Sequence, residues 1–124
     1  MKLFNALSLF TVALADFDGK MMFWGNGGLC LVSADAENML YCKQGLISDY
    51  VVSDSRLTAG NLYLSQESGR LSLNETMDTD FAVNRDGFVF FGHSNKFMLC
   101  NDRSIVLKGG CIGSEGTLRI LIEG

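Results

Sequence analysis

One histidine and two Asp-x-Asp pairs are the residues whose types suit acid–base or metal chemistry in this chain of 124 residues. His93 stands in the polar tip of "GFVFFGHSNKFMLC", beside Ser94. A serine nucleophile needs a base in hydrogen-bond reach and a third group to orient that base. Adjacency in a turn supplies neither, and no Gly-x-Ser-x-Gly elbow occurs. Gly92, Ser94 and Asn95 are turn formers, so His93 is expected as a turn residue. Asp16/Asp18 and Asp78/Asp80 have the composition of a cation site or of a carboxylate pair flanking a sugar. No glycine follows either pair at EF-hand spacing, so solvated loops are the expectation. No catalytic residue, metal or cofactor is therefore assigned, and a small hydrolase is the least favoured class.

Cys30, Cys42, Cys100 and Cys111 are the four cysteines. No Cys-x-x-Cys pair occurs and one histidine adds little, so a zinc site is weaker than two disulfides. Hairpin geometry favours Cys30–Cys42 and Cys100–Cys111. The first pair is centred on residue 36, inside the bend "SADAEN", which places the two cysteines opposite each other on neighbouring strands. The second pair brackets "NDRSIVLKGG", a strand followed by a Gly-Gly turn.

Trp24, Phe23 and Tyr63 are candidates for stacking on sugar rings, Trp24 and Tyr63 above all. For Trp24 the favoured expectation is packing in the core. Asn74-Glu75-Thr76 is the single N-glycosylation sequon, usable where Asn74 is exposed at a strand end.

These residues need a scaffold, and the chain suggests one domain. Met1–Ala15 reads as a signal peptide: a basic start at Lys2, a mostly apolar Leu3–Leu14, and Ala13-Leu14-Ala15 before the cut. That leaves 16–124 as a single secreted β domain. It is too short a leader for a membrane span, which takes about 20 apolar residues. "LRILIEG" at the other end carries no anchor signal, so no membrane anchor is expected. The formal net charge is −4, and one unit more negative without Lys2. Acidic charge argues against nucleic acid, whose phosphates are met by Lys and Arg, and against anionic membranes; it suits a secreted protein among neutral sugars.

With no proline and 14 glycines, the rest is short apolar or alternating runs separated by Gly, Asn, Asp and Ser, an all-β pattern. Three stretches resemble one another: "GLCLVSADAENMLYCKQ" from Gly28, "GNLYLSQESGRLSLNET" from Gly60 and "GFVFFGHSNKFMLCNDR" from Gly87, with starts 32 and 27 residues apart. Each is a Gly-led apolar run, a polar bend and a return, followed by "LISDYVV", "FAVN" or "SIVLK". Three units of four strands sharing one core predict a β-trefoil, with "KMMFW" and "TLRILIEG" completing the count. A small antiparallel β-sandwich or open barrel is the alternative.

The leader, the cysteine-bearing β domain and "DGFVFFGHSNKFMLCNDRSIVLKGGC" together resemble the C-terminal domain of fungal Pir-type cell-wall mannoproteins and their small relatives. Gly87, Gly92, Phe97, Cys100 and Cys111 sit where that family has its glycine-led apolar strand, aromatic run and cysteines; "LCLVSADAENMLYC" with "GLISD" resembles its earlier portion. The likeness spans about Gly28 to Ile122. The cysteine spacing differs, no Asp-Gly-Gln repeat occurs, and no Lys-Arg site precedes the domain. The resemblance implies a secreted structural or accessory component of the fungal cell wall, partnered by wall polysaccharide or mannoprotein, without covalent linkage through such a repeat. A secreted lectin-like or effector-type binding module is the alternative.

Overall fold

The computed structural model describes residues 16–26 and 28–122. The expected leader, residues 1–15, lies outside the described residues. The described chain is all-β. Its strands are β1 (Phe17–Gly25), β2 (Gly28–Ala34), β3 (Leu40–Tyr41), β4 (Tyr50–Ser53), β5 (Arg56–Ala59) and β6 (Leu62–Glu67). They continue with β7 (Arg70–Asn74), β8 (Phe81–Val83), β9 (Val89–Phe91), β10 (Phe97–Cys100), β11 (Ile105–Leu107) and β12 (Gly113–Ile122).

Antiparallel pairing closes a barrel of eight strands, running β1, β4, β5, β6, β7, β11, β10, β12 and back to β1. β2 and β3 extend from the second half of β1, and β8 and β9 pair with each other. Closure removes the open edges that invite aggregation. β1 makes it possible by changing partner along one edge. Its Phe17–Gly19 pair with β4 and its Met21–Gly25 pair with β2, while its other edge pairs with β12 from Gly19 to Gly25. Tyr50 sits at this change-over, fully buried, and its hydroxyl donates to Val32 O at 2.9 Å. A second, smaller circuit runs through β8 and β9. Val83 N–H donates to Ser55 O (2.9 Å) beside β5, and Ile120 N–H of β12 donates to Gly87 O (2.8 Å) beside β9.

Alternation decides what fills the barrel. In β1, Met21 and Phe23 are buried, as are Val52 of β4, Leu57 of β5, Leu118 and Ile120 of β12. Each such side chain contributes roughly 1.5–3 kcal/mol by leaving water. Gly116 permits a close seam. A Cβ there would lie 2.3 Å from Trp24 O, so only glycine lets β12 press against β1. Gly87 has φ +91°, and a Cβ there would lie 2.4 Å from Ile120 O; it fixes β9 against β12.

Three hairpins, β2–β3, β6–β7 and β10–β11, meet at one end with a repeating hydrogen bond. Asn38 O accepts from Leu73 N–H, Gly69 O from Leu107 N–H and Arg103 O from Cys42 N–H, each at 2.8 Å. All three acceptors belong to turn residues with positive φ. Each hairpin tip thus caps the next hairpin in a closed cycle.

Two readings of the sequence change. The third unit is shifted: Gly87 ends the Asn84–Gly87 turn that leads into β9, and "GHSN" joins β9 to β10. The turn matching "SADAEN" and "SQESGR" is Asn101–Ser104, between β10 and β11. Gly87 resembles Gly28 and Gly60 in sequence but does a different job. The Cys30–Cys42 pair is also displaced. Ser33 faces Tyr41 and Ala34 faces Leu40, so the ladder continued would place residue 42 opposite 32, and the bridge runs diagonally. Cys42 leaves the ladder to donate to Arg103 O, and this brings its Cα within 5.7 Å of Cys30.

Candidate functional site

Both expected disulfides are present, Cys30–Cys42 and Cys100–Cys111, with Cα–Cα distances of 5.7 and 5.9 Å. Each ties the first strand of its hairpin, β2 or β10, to the segment just after the second, β3 or β11. Closing a loop of this size contributes about 3 kcal/mol.

The sugar-stacking candidates separate. Phe23 is 1% exposed and belongs to the core. Trp24, expected in the core, is instead 49% exposed. The physical reason is alternation: Phe23 takes the inward position, so its neighbour must point out. Leu29, directly across from Trp24 on β2, is 52% exposed. Tyr63 is half-buried on β6 and lines a small cavity with Met77 and Asp78. β1 and β6 are not neighbours, so Trp24 and Tyr63 do not share a strand pair.

The outward face of β1 continues across both neighbours. Met22 faces Leu31 on β2 and Arg119 on β12, and Trp24 faces Leu29 and Thr117. Phe88 bridges to Arg119, whose guanidinium lies 4.9 Å over the Phe88 ring and whose Nε donates to Asp86 O at 2.9 Å. An ion pair, Lys20–Asp49, borders this face. The sequence reading missed Met22, Leu29, Leu31, Phe88 and Arg119. The outward half of "KMMFW" is as apolar as the inward half, so alternation alone does not mark it.

The other candidates are turn residues. His93 is exposed between β9 and β10, and Ser94 Oγ accepts from Lys96 N–H at 3.1 Å. Asp78 Oδ1 accepts from Asp80 N–H at 3.0 Å, and Asp16 and Asp18 are exposed at the start of β1. Asn74 ends β7 half-buried, and its Oδ1 accepts from Thr76 N–H at 3.0 Å. Glu75 and Thr76 are exposed.

Two open grooves flank the Cys100–Cys111 loop. One, about 500 Å³, is lined by Arg70, Asp102, Ser104 and Ile112. Arg70 Nη2 is already donated to Tyr41 OH at 2.7 Å. Asp102 Oδ1 accepts from Ser104 Oγ (2.6 Å) and Ser104 N–H (3.0 Å), and these bonds hold its carboxyl below the usual aspartate range. The other, about 570 Å³, has Phe91 and Leu107 with Lys96 and Lys108. His93 lines neither groove.

Comparison with known proteins finds no matching family model, curated protein or solved structure.

Proposed function

We propose that this chain is a secreted structural or accessory component of a fungal cell wall, non-catalytic and held in place by contact with wall polysaccharide. The single observation that carries this reading is Trp24, half-exposed on a rigid closed barrel with Leu29 beside it. An indole on the outside of a barrel forfeits the burial that would stabilise the fold, and its flat apolar face suits a pyranose ring. Two disulfides suit an oxidising, extracellular setting. The resemblance to Pir-type mannoproteins points the same way. We read the fold as a β-trefoil: four strands per unit and the cyclic tip-to-hairpin bonds support that finer assignment. We read Asn74 as glycosylated, because its turn leaves Thr76 exposed at a strand end.

The test is sedimentation with isolated fungal walls. Wild type is expected in the pellet and Trp24→Ala in the supernatant; wild type left in the supernatant would overturn the reading. A lectin-like or effector-type module engaging a host protein is the second reading. It is favoured by Leu46, Met77 and Ile112, one exposed apolar residue on each loop that follows a hairpin. Accumulation in the medium, with binding abolished by Leu46→Ser or Ile112→Ser but not by Trp24→Ala, would select it.

A further inference from the structure

The open end of the β10–β11 hairpin carries charges that the core does not explain. Phe97 and Leu107 pair where β10 begins and β11 ends, and Lys96 and Lys108 stand one residue outside each strand. Both lysines are exposed, and both line the groove of about 570 Å³. Its floor is apolar. Phe91 and Leu107 are half-buried against the core, and the Phe81 ring meets Phe91 edge-on at 4.9 Å. Turns fix both floor residues. Phe91 N–H donates to Ser94 O (2.8 Å), Ser94 N–H donates to Phe91 O (3.1 Å), and Gly110 N–H donates to Leu107 O (2.9 Å). Gly109, at φ +88°, leaves the mouth clear, because a Cβ there would meet nothing within 4 Å.

The two ammonium groups have little to neutralise them. Lys108 Nζ lies 3.9 Å from a Glu115 oxygen, and an exposed pair of this kind contributes little. Among the described residues no carboxylate forms an ion pair with Lys96. Two like charges thus share one mouth over an apolar floor, in a chain whose formal charge is −4. They repel each other, so folding alone gives no reason for the arrangement.

We propose that this groove binds a small amphipathic anion, a monocarboxylate whose apolar tail lies on Phe91 and Leu107 while its carboxylate sits between Lys96 and Lys108. The site is separate from the Trp24 face, which contributes no lining residue, and does not rest on the wall reading. Its volume falls within the roughly 300–1,000 Å³ of small-molecule sites. The lysine stems add apolar cover for the tail while their heads stay at the mouth. A neutral sugar fits less well, because its hydroxyl protons need acceptors. Ser94 Oγ is the one side-chain acceptor in the lining, and it already accepts from Lys96 N–H. A polyanion would need more cations than two. The neighbouring groove is no rival, since its Arg70 donates to Tyr41 OH and Asp102 brings a carboxylate.

Octanoate is titrated into the ¹⁵N-labelled oxidised protein, with octanol, octylamine and acetate in parallel. Saturable shifts of the Phe91, Ser94, Leu107 and Gly109 amides are expected with octanoate. They should be about tenfold or more weaker with octanol and absent with octylamine and acetate. Lys96→Met with Lys108→Met keeps the apolar stems and removes the charge. It is expected to weaken octanoate binding about tenfold while leaving amides remote from the groove unshifted. Glu115→Gln, which frees Lys108, is expected to tighten it. No binding of octanoate, equal affinity for octanol, or unchanged affinity in the double variant would overturn the proposal. Shifts centred on Trp24 and Leu29 would do so as well. Equal binding of acetate would reduce the groove to a plain anion contact and overturn the role of its floor. A peptide ending in a free leucine carboxylate that binds where octanoate does not would assign the groove to a protein partner and overturn the small-molecule reading. Retention by walls is measured apart from all of these, so the wall reading stands or falls separately.

Discussion

The three hairpins at the closed end do the same job by different means. β6–β7 pairs five residues from each strand, turns through Ser68–Gly69 at φ 53° and 86°, and contains no cysteine. β2–β3 pairs only two and β10–β11 only three, and each is tied to a disulfide. The turn explains the difference. Two successive residues with positive φ match the twist of the flanking strands and support a long ladder. The other tips are longer and carry one such residue each, Asn38 at 65° and Arg103 at 72°. Their ladders stop early, and sulfur cross-links replace the missing pairs. The lesson is that hairpins related by a common role need not share a source of stability.

Removing both bridges breaks this comparison hardest. Reduction and alkylation are expected to cost about 6 kcal/mol, comparable with the whole stability of a small domain. Loss of cooperative unfolding in a urea titration would show it; an unchanged midpoint would contradict it. Leu71→Ala tests the hairpin that lacks sulfur. Leu71 is fully buried in β7, and a loss of about 3 kcal/mol is expected with both bridges intact. A loss below about 1 kcal/mol would mean that β6–β7 does not depend on packing as described.

Smaller effects sharpen the picture. Burial first, and the Asp49 carboxylate second, push the Tyr50 phenol well above the ordinary tyrosine range. The folded state therefore holds this proton more tightly than the unfolded chain. Its stabilising contribution is whole below about pH 10 and is lost as pH rises beyond it. Tyr50→Phe is expected to cost about 1 kcal/mol at neutral pH through the bond to Val32 O, and to flatten the alkaline decline. An equally steep decline in the variant would refute that assignment. Asp102, at the tip of β10–β11, is the weakest lever because it is exposed. Ser104's hydroxyl, then its amide, lower the carboxyl's pKa, so its contribution is present above about pH 4 and fades as pH falls. Asp102→Asn should make the acid limb of the urea midpoint slightly shallower and leave the alkaline limb unchanged.

Much of the scaffold was legible because it is local. Alternating runs and turn residues marked the strands, and hairpin proximity paired the cysteines correctly. Register was harder. The tip of β2–β3 is centred on Glu37, not Ala36, because Asp35 accepts from both Glu37 and Met39 amides and widens the turn. The third unit was misaligned because Gly87 copies the look of Gly28. The β10 strand that truly matches begins at Phe97 after Asn95-Lys96, with no glycine to announce it. The candidate site was only half visible. Trp24 was singled out but placed inside, since "MMFW" is apolar on both faces. Thr117 joins it only through the long-range pairing of β12 with β1, which no local pattern encodes.

Amide hydrogen exchange on Cys30→Ala/Cys42→Ala, with Cys100–Cys111 intact, tests most directly whether sulfur substitutes for ladder length. The expected result is early loss of protection at Asp35, whose amide donates to Met39 O across the β2–β3 tip, and at Ala34, whose amide donates to Ile47 O in the loop after β3, while Leu64 and Leu71 amides in β6–β7 remain among the slowest. Equal loss of protection in all three hairpins, or none in β2–β3, would contradict it.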